Sequence, residues 1–305
     1  MTTYLLARAA QSLLAVGCVL ALVFFMVRLT GDPSVVMLPQ DASKEDVARF
    51  RAAMGFDRPL AVQFRDFVVR AVVGDFGKSL QYRTSAWALI MERLPATLEL
   101  AAAAMSFAIL VAVPLGILAA TRPGSIWDAL AQGVALLGQA LPAYWVGLIL
   151  ILLLSVQLNL LPVAGRSGWA SLVMPMITLG MGTLGRLTQL ARSVMLDALG
   201  QDYIRTAWAK GLAPRAVQYR HALKNAAIPL ITLIGVNFGY MLGGAVLIES
   251  VFSYPGIGRL AAQAIFQRDF PLVQAVAFFA SLVVVGVNLL TDLAYGLLNP
   301  TVRVR

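Results

Sequence analysis

Asp202-Tyr-Ile-Arg-Thr-Ala-Trp-Ala-Lys-Gly-Leu-Ala-Pro-Arg-Ala-Val-Gln-Tyr-Arg-His-Ala-Leu-Lys-Asn-Ala-Ala-Ile-Pro229 is a polar, basic island between two long apolar runs. That contrast decides the class of the chain. Of its 305 residues, 59% are hydrophobic and only 13% charged, which lies outside the range of soluble globular domains. A helix that crosses the hydrocarbon core needs about 20 predominantly apolar residues. Six stretches qualify: 9–27, 95–120, 129–156, 172–192, 229–250 and 272–298. The expected fold is all-α, a polytopic membrane protein with six transmembrane helices, and little chain is left for a soluble catalytic domain.

The first apolar run follows Arg8 but is longer than a signal-peptide core and lacks a small-x-small cleavage pattern, so it reads as a retained helix. Cys18, the single cysteine, has no partner for a disulfide or a metal site. The net charge of +9 would suggest nucleic acid in a soluble chain. In a membrane chain, basic residues report topology and contact with anionic headgroups of the bilayer, and no nucleic-acid partner is expected. From Arg192 to Lys224, Arg192, Arg205, Lys210, Arg215, Arg220 and Lys224 stand against only Asp197 and Asp202, which puts this loop in the cytoplasm. Arg122, Arg303 and Arg305 fall on the same side, so both termini are expected to be cytoplasmic.

Residues 31–93 hold nine of the 24 Lys and Arg and eight of the 15 Asp and Glu, a shift in composition that reads as a small extracytoplasmic helical domain. Ser43-Lys-Glu-Asp46 has the form of a capping box, with a stop at Gly55. Asp57-Arg-Pro59 opens a second helix whose Leu60, Phe64, Phe67, Val68 and Ala71 share a face before Gly74 ends it. The expected organisation is an N-terminal span over 1–30, this domain over 31–94, and a core transmembrane domain over 95–305 whose cytoplasmic loop spans 193–228. Within the core, Pro114 and Pro142 are candidate kinks. Gly235, Gly239 and Gly243 lie at four-residue spacing, with Gly244 beside them, and place small residues on one helix face for close approach or for a subunit seam.

Enzyme chemistry finds no support in the residues. Gly180-Met-Gly182-Thr-Leu-Gly185 has dinucleotide-fingerprint spacing but lies inside an apolar span without the strand that motif requires. No Gly-x-x-x-x-Gly-Lys-Ser/Thr phosphate loop occurs, so any ATP dependence comes from a partner. His221 is the only histidine and has no companion for a metal site or a nucleophile. No cofactor and no metal are expected on this chain. The ionisable residues in or near spans are Glu99, Arg186, Glu249 and Asp292, and the spans as drawn put Glu99, Arg186 and Asp292 within about two turns of a span end. Asn237 and Asn288 read as interhelical hydrogen bonds.

After the fourth span, residues 197–210 can continue as a helix until Gly211 stops it, and Pro214 can open a short helix running to about Leu223. That short helix would present Val217, Tyr219, Ala222 and Leu223 beside Arg215, Arg220 and Lys224, as a plug for a groove on a soluble partner. At this point the residues resemble the permease subunits of binding-protein-dependent ABC importers, in the dipeptide, oligopeptide and nickel branch. The segment from Asp202 to Gly211, with His221-Ala-Leu-Lys-Asn-Ala and Ile228-Pro229, is similar to that branch's EAA loop, although the eponymous Glu-Ala-Ala reads Arg205-Thr-Ala207 here. Gly31-Asp-Pro33, Met54-Gly-Phe-Asp57, Gly74-Asp-Phe-Gly77 with Ser79, Pro95-Ala-Thr-Leu-Glu-Leu100, Glu249-Ser-Val-Phe-Ser-Tyr-Pro-Gly-Ile-Gly-Arg259 and Arg268-Asp-Phe-Pro271 follow the same branch in order.

The resemblance implies a type I ABC importer permease fold in the bacterial inner membrane. It also implies a homologous second permease, two cytoplasmic ATPase subunits that hold ATP and Mg, and an extracytoplasmic solute-binding protein. On that reading, ATPase coupling falls to Ala207, Gly211, Leu212, Pro214, Arg215, Val217, Tyr219, Arg220, His221 and Leu223. The pathway or subunit seam falls to Asn237, Gly239, Gly243 and Glu249, and docking of the binding protein to Phe252, Tyr254, Pro255 and Gly256. Peptides are the implied cargo, with nickel chelates, glutathione or opine-like solutes as alternatives. The rival class is an ATP-independent secondary transporter or channel, which would import without ATPases; a membrane-embedded enzyme would need a reactive cluster that the sequence lacks.

Overall fold

The structure, a computed structural model, describes the backbone of residues 2–29, 38, 43–53 and 55–298. Gly31-Asp-Pro33, Met54, Arg303 and Arg305, and the side chains of Arg8, Asn288 and Asp292, lie outside the described residues. Helices make up the regular structure: α1 (Thr2–Leu29), α2 (Lys44–Ala53), α3 (Leu60–Val72), α4 (Ala86–Thr121), α5 (Ile126–Ala140), α6 (Ala143–Leu150), α7 (Trp169–Leu199), α8 (Asp202–Ala209), α9 (Leu223–Val251), α10 (Ile257–Phe266) and α11 (Phe270–Leu298). Two wider, π-type stretches extend them. Ile151–Gln157 continues α6, and Ala216–Ala222 leads into α9. Among the described residues five helices are long and apolar enough to cross a bilayer, and the α5–α6 pair supplies a sixth span if counted as one.

That sixth span, expected over 129–156 with Pro142 as a candidate kink, is broken sharply at that proline. α5 and α6 are bent by 104° at Leu141-Pro142. Pro142 offers no N–H and disfavours helix at the residue before it, and both Leu141 and Pro142 are extended, with ψ of 132° and 127°. At 1.5 Å per residue α5 is about 22 Å long, too short to cross a core of about 30 Å by itself.

The chain divides into two compact units, residues 1–95 with 256–286 and residues 96–255 with 287–305. In the first, Ser43 opens α2: its hydroxyl accepts from the Asp46 N–H at 3.1 Å, while the Asp46 carboxylate accepts from the Ser43 N–H. Gly55 and Gly74, both at positive φ, follow the ends of α2 and α3. Phe64 and Phe67 of α3 pack on Phe24 of α1, whereas Leu60 stays exposed. The buried Asp269 carboxylate accepts from the Ser79 hydroxyl and the Gln81 N–H, and so joins two sequence motifs that lie 190 residues apart. Around them Phe76, Ile90, Leu260, Leu272 and Phe278 form the core of this unit.

In the second unit, α7 is the shared wall. A Cβ added at Gly185 would lie 2.5 Å from the Ala135 carbonyl of α5, one at Gly138 2.6 Å from the Met181 carbonyl, and one at Gly180 2.8 Å from the Ala104 carbonyl of α4. The spacing that mimics a dinucleotide fingerprint is thus helix packing, with Gly180 and Gly185 meeting two different neighbours. Leu187, Ala191 and Leu184 of α7 then close on Ala108, Ala112 and Leu230. Gly133, also on α5, faces nothing within 4 Å. We expect Gly185→Ala to lower the thermal midpoint of the detergent-solubilised protein, at a cost of about 2 kcal/mol. Gly133→Ala should leave it unchanged or raise it, because alanine favours helix by about 1 kcal/mol. Size-exclusion recovery after heating measures both, and matching behaviour of the two variants would refute the contact.

Candidate functional site

Three groups of residues singled out in the sequence fall in or next to the second unit. The first lies where α7, α8 and α9 meet. α7 runs to Leu199 and breaks at Gly200-Gln201 instead of continuing to Lys210, so α8 is a separate two-turn helix. Gly211, with φ +73°, follows α8, and helix resumes at Pro214. This second helix does not stop near Leu223. It runs through the π-type turn into α9 and on to Val251 without a break, so the expected short plug is the first part of a long span.

The wide turn changes which residues face outward. In a π-type helix, residues five apart stack along one side, and Val217 and Ala222 are both fully buried. With Ile204, Ala207, Met195 and Ile117 they form a small apolar core. Val217 and Ala207 are therefore corrections to the expected partner-facing set, because their own chain already covers them. Gly211, Pro214, Arg215 and Arg220 are exposed, as are Leu212 and Tyr219, while His221 and Leu223 are half-buried. The sequence reading missed Tyr203 and Trp208, which are 39% and 45% exposed on α8. The available signal was that only Ile204 and Ala207, three apart, can face inward on so short a helix, which leaves the two large aromatics outside.

The second group lies along α9. Asn237 is buried: its Oδ1 accepts from Arg186 Nε at 2.9 Å, and its amide donates to the Leu233 carbonyl at 2.8 Å. A Cβ at Gly239 would lie 3.2 Å from Val287. Glu249 is fully buried and accepts from the Thr97 hydroxyl of α4 at 2.7 Å. Asn237 and Glu249 thus turn into the bundle, Asn237 making the interhelical hydrogen bond read from sequence, and neither faces outward toward a seam; Gly243 alone of the four is exposed. The outward stripe of α9 consists of Val236, Tyr240, Gly243 and Leu247.

The third group is the turn after α9. Phe252 and Tyr254 are buried, Pro255 is half-buried, and Gly256, which belongs to the first unit, is buried. Phe252 sits against Gly147 of α6, where an added Cβ would lie 3.1 Å from its ring. The Gly165 N–H donates to the Phe252 carbonyl at 2.9 Å. These side chains shape the turn from within and do not offer a docking surface, which corrects the expected role of Phe252, Tyr254 and Gly256. Beside Tyr254, Arg166 Nε donates to Glu99 Oε2 at 2.8 Å. Burial, reinforced by the Glu99 charge, pushes the Tyr254 hydroxyl up to about 12, so it remains a neutral phenol.

The ionisable groups within these helices differ in how they are held. Arg192 of α7 makes a two-pronged bond with Asp128 at the start of α5, at 2.6 and 2.7 Å. Arg186 is held by Asn237 and by Thr183 Oγ1 at 3.3 Å, and among the described residues no carboxylate pairs with it. It lies more than three turns from either end of α7. Glu99 is likewise well inside α4. Among the described residues no group of three or more His, Cys, Asp or Glu could hold a metal ion.

The chain matches the family described as binding-protein-dependent transport system inner membrane component over residues 112–304, and the N-terminal family of such membrane components over residues 1–101. It is 38% identical to the dipeptide transport system permease protein of Escherichia coli strain K12, over 94% of both chains. It is 37% identical to a probable peptide ABC transporter permease protein of Sinorhizobium fredii, over 99% of this chain and 100% of that one. With the glutathione transport system permease protein of Salmonella typhimurium the identity is 36%, over 99% of each. Among solved structures, an inward-facing form of the MetNI methionine ABC transporter shares the fold with a TM-score of 0.57 and 16% identity, over 69% of this chain and 96% of that one. An amino acid ABC transporter with histidines has a TM-score of 0.54 at 16% identity, over 68% of this chain and 93% of that one. With apolar helices enough for five or six spans and family matches that run from residue 1 to residue 304, the chain belongs to the binding-protein-dependent transport system inner membrane components, as a permease subunit of an ABC importer.

Proposed function

We propose that this chain is the permease subunit of an ATP-driven peptide importer, forming half of the translocation pathway beside a homologous second permease. Two cytoplasmic ATPase subunits supply ATP hydrolysis with Mg, and an extracytoplasmic solute-binding protein delivers the cargo; the chain itself performs no catalysis. The observation that carries the reading is identity of 36 to 38%, over nearly the whole chain, to permeases named for dipeptide, peptide and glutathione transport. Glutathione is itself a peptide, so the names agree on the chemical class. Both termini and the loop over 193–228 lie in the cytoplasm on the charge argument, and residues 31–94 lie outside.

The exposed set at the α8–α9 end supports a coupling role. Tyr203, Trp208, Leu212 and Tyr219 are large apolar or aromatic groups left uncovered beside exposed Arg205, Lys210, Arg215 and Arg220. A surface of aromatic anchors rimmed by cations fits a soluble, acidic-rimmed groove. A partner that pushes on Tyr219 would act directly on α9, because the helix is continuous from Pro214 to Val251.

The reading as a whole is tested in proteoliposomes containing this permease, its second permease and the ATPases, supplied with loaded binding protein. Dipeptide uptake is expected only with ATP and with all subunits; uptake by the permeases alone would favour the secondary-transporter class. At the junction, Gly211 has open space around it but a positive φ that β-branched side chains avoid. Gly211→Val should cut ATP-dependent uptake at least fivefold while ATPase activity persists, and Gly211→Asn, which tolerates that conformation, should retain most of it. For the surface itself, Tyr219→Ala should weaken co-purification of the ATPases with little change in thermal stability, because the side chain is 53% exposed. An unfolded Tyr219→Ala protein, or full ATPase recovery, would place the contact elsewhere.

A further inference from the structure

Arginines occur at several places in the second unit, and in three of them the guanidinium meets a carboxylate: Arg192 meets Asp128, Arg166 meets Glu99 and, on the exposed α8, Arg205 meets Asp202. Arg186 meets none among the described residues. It sits deep in a long apolar helix, where an uncompensated cation is costly and by default marks a pathway or a water-filled space. Two buried polar residues hold it from behind. Asn237 takes the Nε–H, with its own amide anchored on the Leu233 carbonyl, and Thr183 takes one Nη2–H. Among the described residues Nη1 makes no such bond, and a Cβ added at Gly182, one turn earlier on the same side, would come only into ordinary contact with it, at 4.0 Å. The side chain is therefore positioned at its base and open at its tip.

That tip borders a cavity of about 320 Å³ at the break between α5 and α6, whose polar lining includes Gln139, Thr178, Thr183 and Tyr240. The volume is at the lower end of small-ligand sites, as befits one half of a site completed by a second subunit. A larger cavity, about 700 Å³, opens in the first unit, but its Arg58 is paired with Asp66 at 3.6 Å, so it offers a weaker case for an anionic ligand. A planar guanidinium fixed through Nε and one Nη2–H still presents parallel N–H groups. That is the geometry which receives a carboxylate in two-pronged fashion.

We propose that Arg186, positioned by Asn237 and Thr183, binds the free carboxylate of the imported peptide on its way through this half of the pathway. The assignment rests on the peptide-import reading. It makes the second unit selective for cargo with an anionic terminus, in addition to whatever the binding protein selects. Asn237, read from sequence as a seam residue, becomes the group that orients the binding residue.

The test uses the complete transporter in proteoliposomes, with alanyl-alanine and alanyl-alaninamide as probes read by mass spectrometry. The same binding protein serves wild type and variant, so its own selectivity cancels in the ratio between them. Arg186→Gln is expected to lower alanyl-alanine uptake about tenfold and to change alanyl-alaninamide uptake less than twofold. Arg186→Lys, which keeps the charge without the fork, should fall between. Equal losses for both peptides overturn the assignment and make Arg186 a structural partner of the second permease. Unchanged alanyl-alanine uptake overturns it as well. Should Arg186→Gln fail to assemble, the Lys variant decides by the same comparison: a loss confined to the free acid supports the assignment and an equal loss overturns it. Import of neither peptide by the wild-type transporter overturns the peptide reading itself, and this assignment with it.

Discussion

The approach of α7 to its neighbours, backbone against backbone, is the contact on which the rest of the second unit depends. Lipid tails are as apolar as leucine, so helices in a bilayer gain little from burying one another's hydrophobic surface. Close packing must carry the association, and it is strongest where no side chain intervenes. Gly180 opposite the Ala104 carbonyl and Gly185 opposite the Ala135 carbonyl bring α4 and α5 to opposing parts of α7. Those contacts also fix how α7 is rotated. With positions 180, 185 and 187 turned inward, Gly182 and Arg186, four apart, must share another side, and that side is the one bordering the cavity.

Much of the fold could be read from sequence because its determinants are local. Apolar runs of sufficient length marked the spans, Ser43 and Asp46 marked a helix start, and Gly211 with Pro214 marked the junction between α8 and the next helix. Pro142 was visible too, but a proline states only that a helix is disturbed; the 104° bend depends on what α5 and α6 pack against. Rotation was the illegible quantity. A helix that is hydrophobic all round has no distinctive face, so nothing local separated Glu249 and Asn237, which turn inward, from Tyr240 and Leu247, which turn outward. Val217 failed for a related reason. Its burial depends on a π-type turn, which the sequence read with a 3.6-residue period cannot reveal.

Polar side chains inside the bundle divide by exposure, and the division separates cross-links from open groups. Glu249 with Thr97 ties α9 to α4, and Asp128 with Arg192 ties α5 to α7. Each such bond in a bilayer is worth about 0.6 to 2 kcal/mol, modest singly but directional, so it fixes register where dispersion alone would not. Asn237 with Arg186 looks like a third cross-link, from α9 to α7, and in part it is one. The difference lies in stoichiometry: a neutral amide satisfies one donor of the guanidinium and none of its charge.

The continuity of the helix from Pro214 to Val251 bears on how such a unit could be driven. A free plug joined to its span by a flexible linker would pass little force to it. Here the linker is absent, and under the coupling proposal any displacement of Tyr219 is a displacement of α9. Asn237 lies five turns further along that helix, bonded to Arg186 across to α7. A tilt of α9 relative to α7 must then stretch or break that bond, because α7 is pinned by its glycine contacts. The orientation of Arg186 is therefore tied to the position of α9, and the affinity of the cavity for an anion would change with the same motion that opens or closes the path.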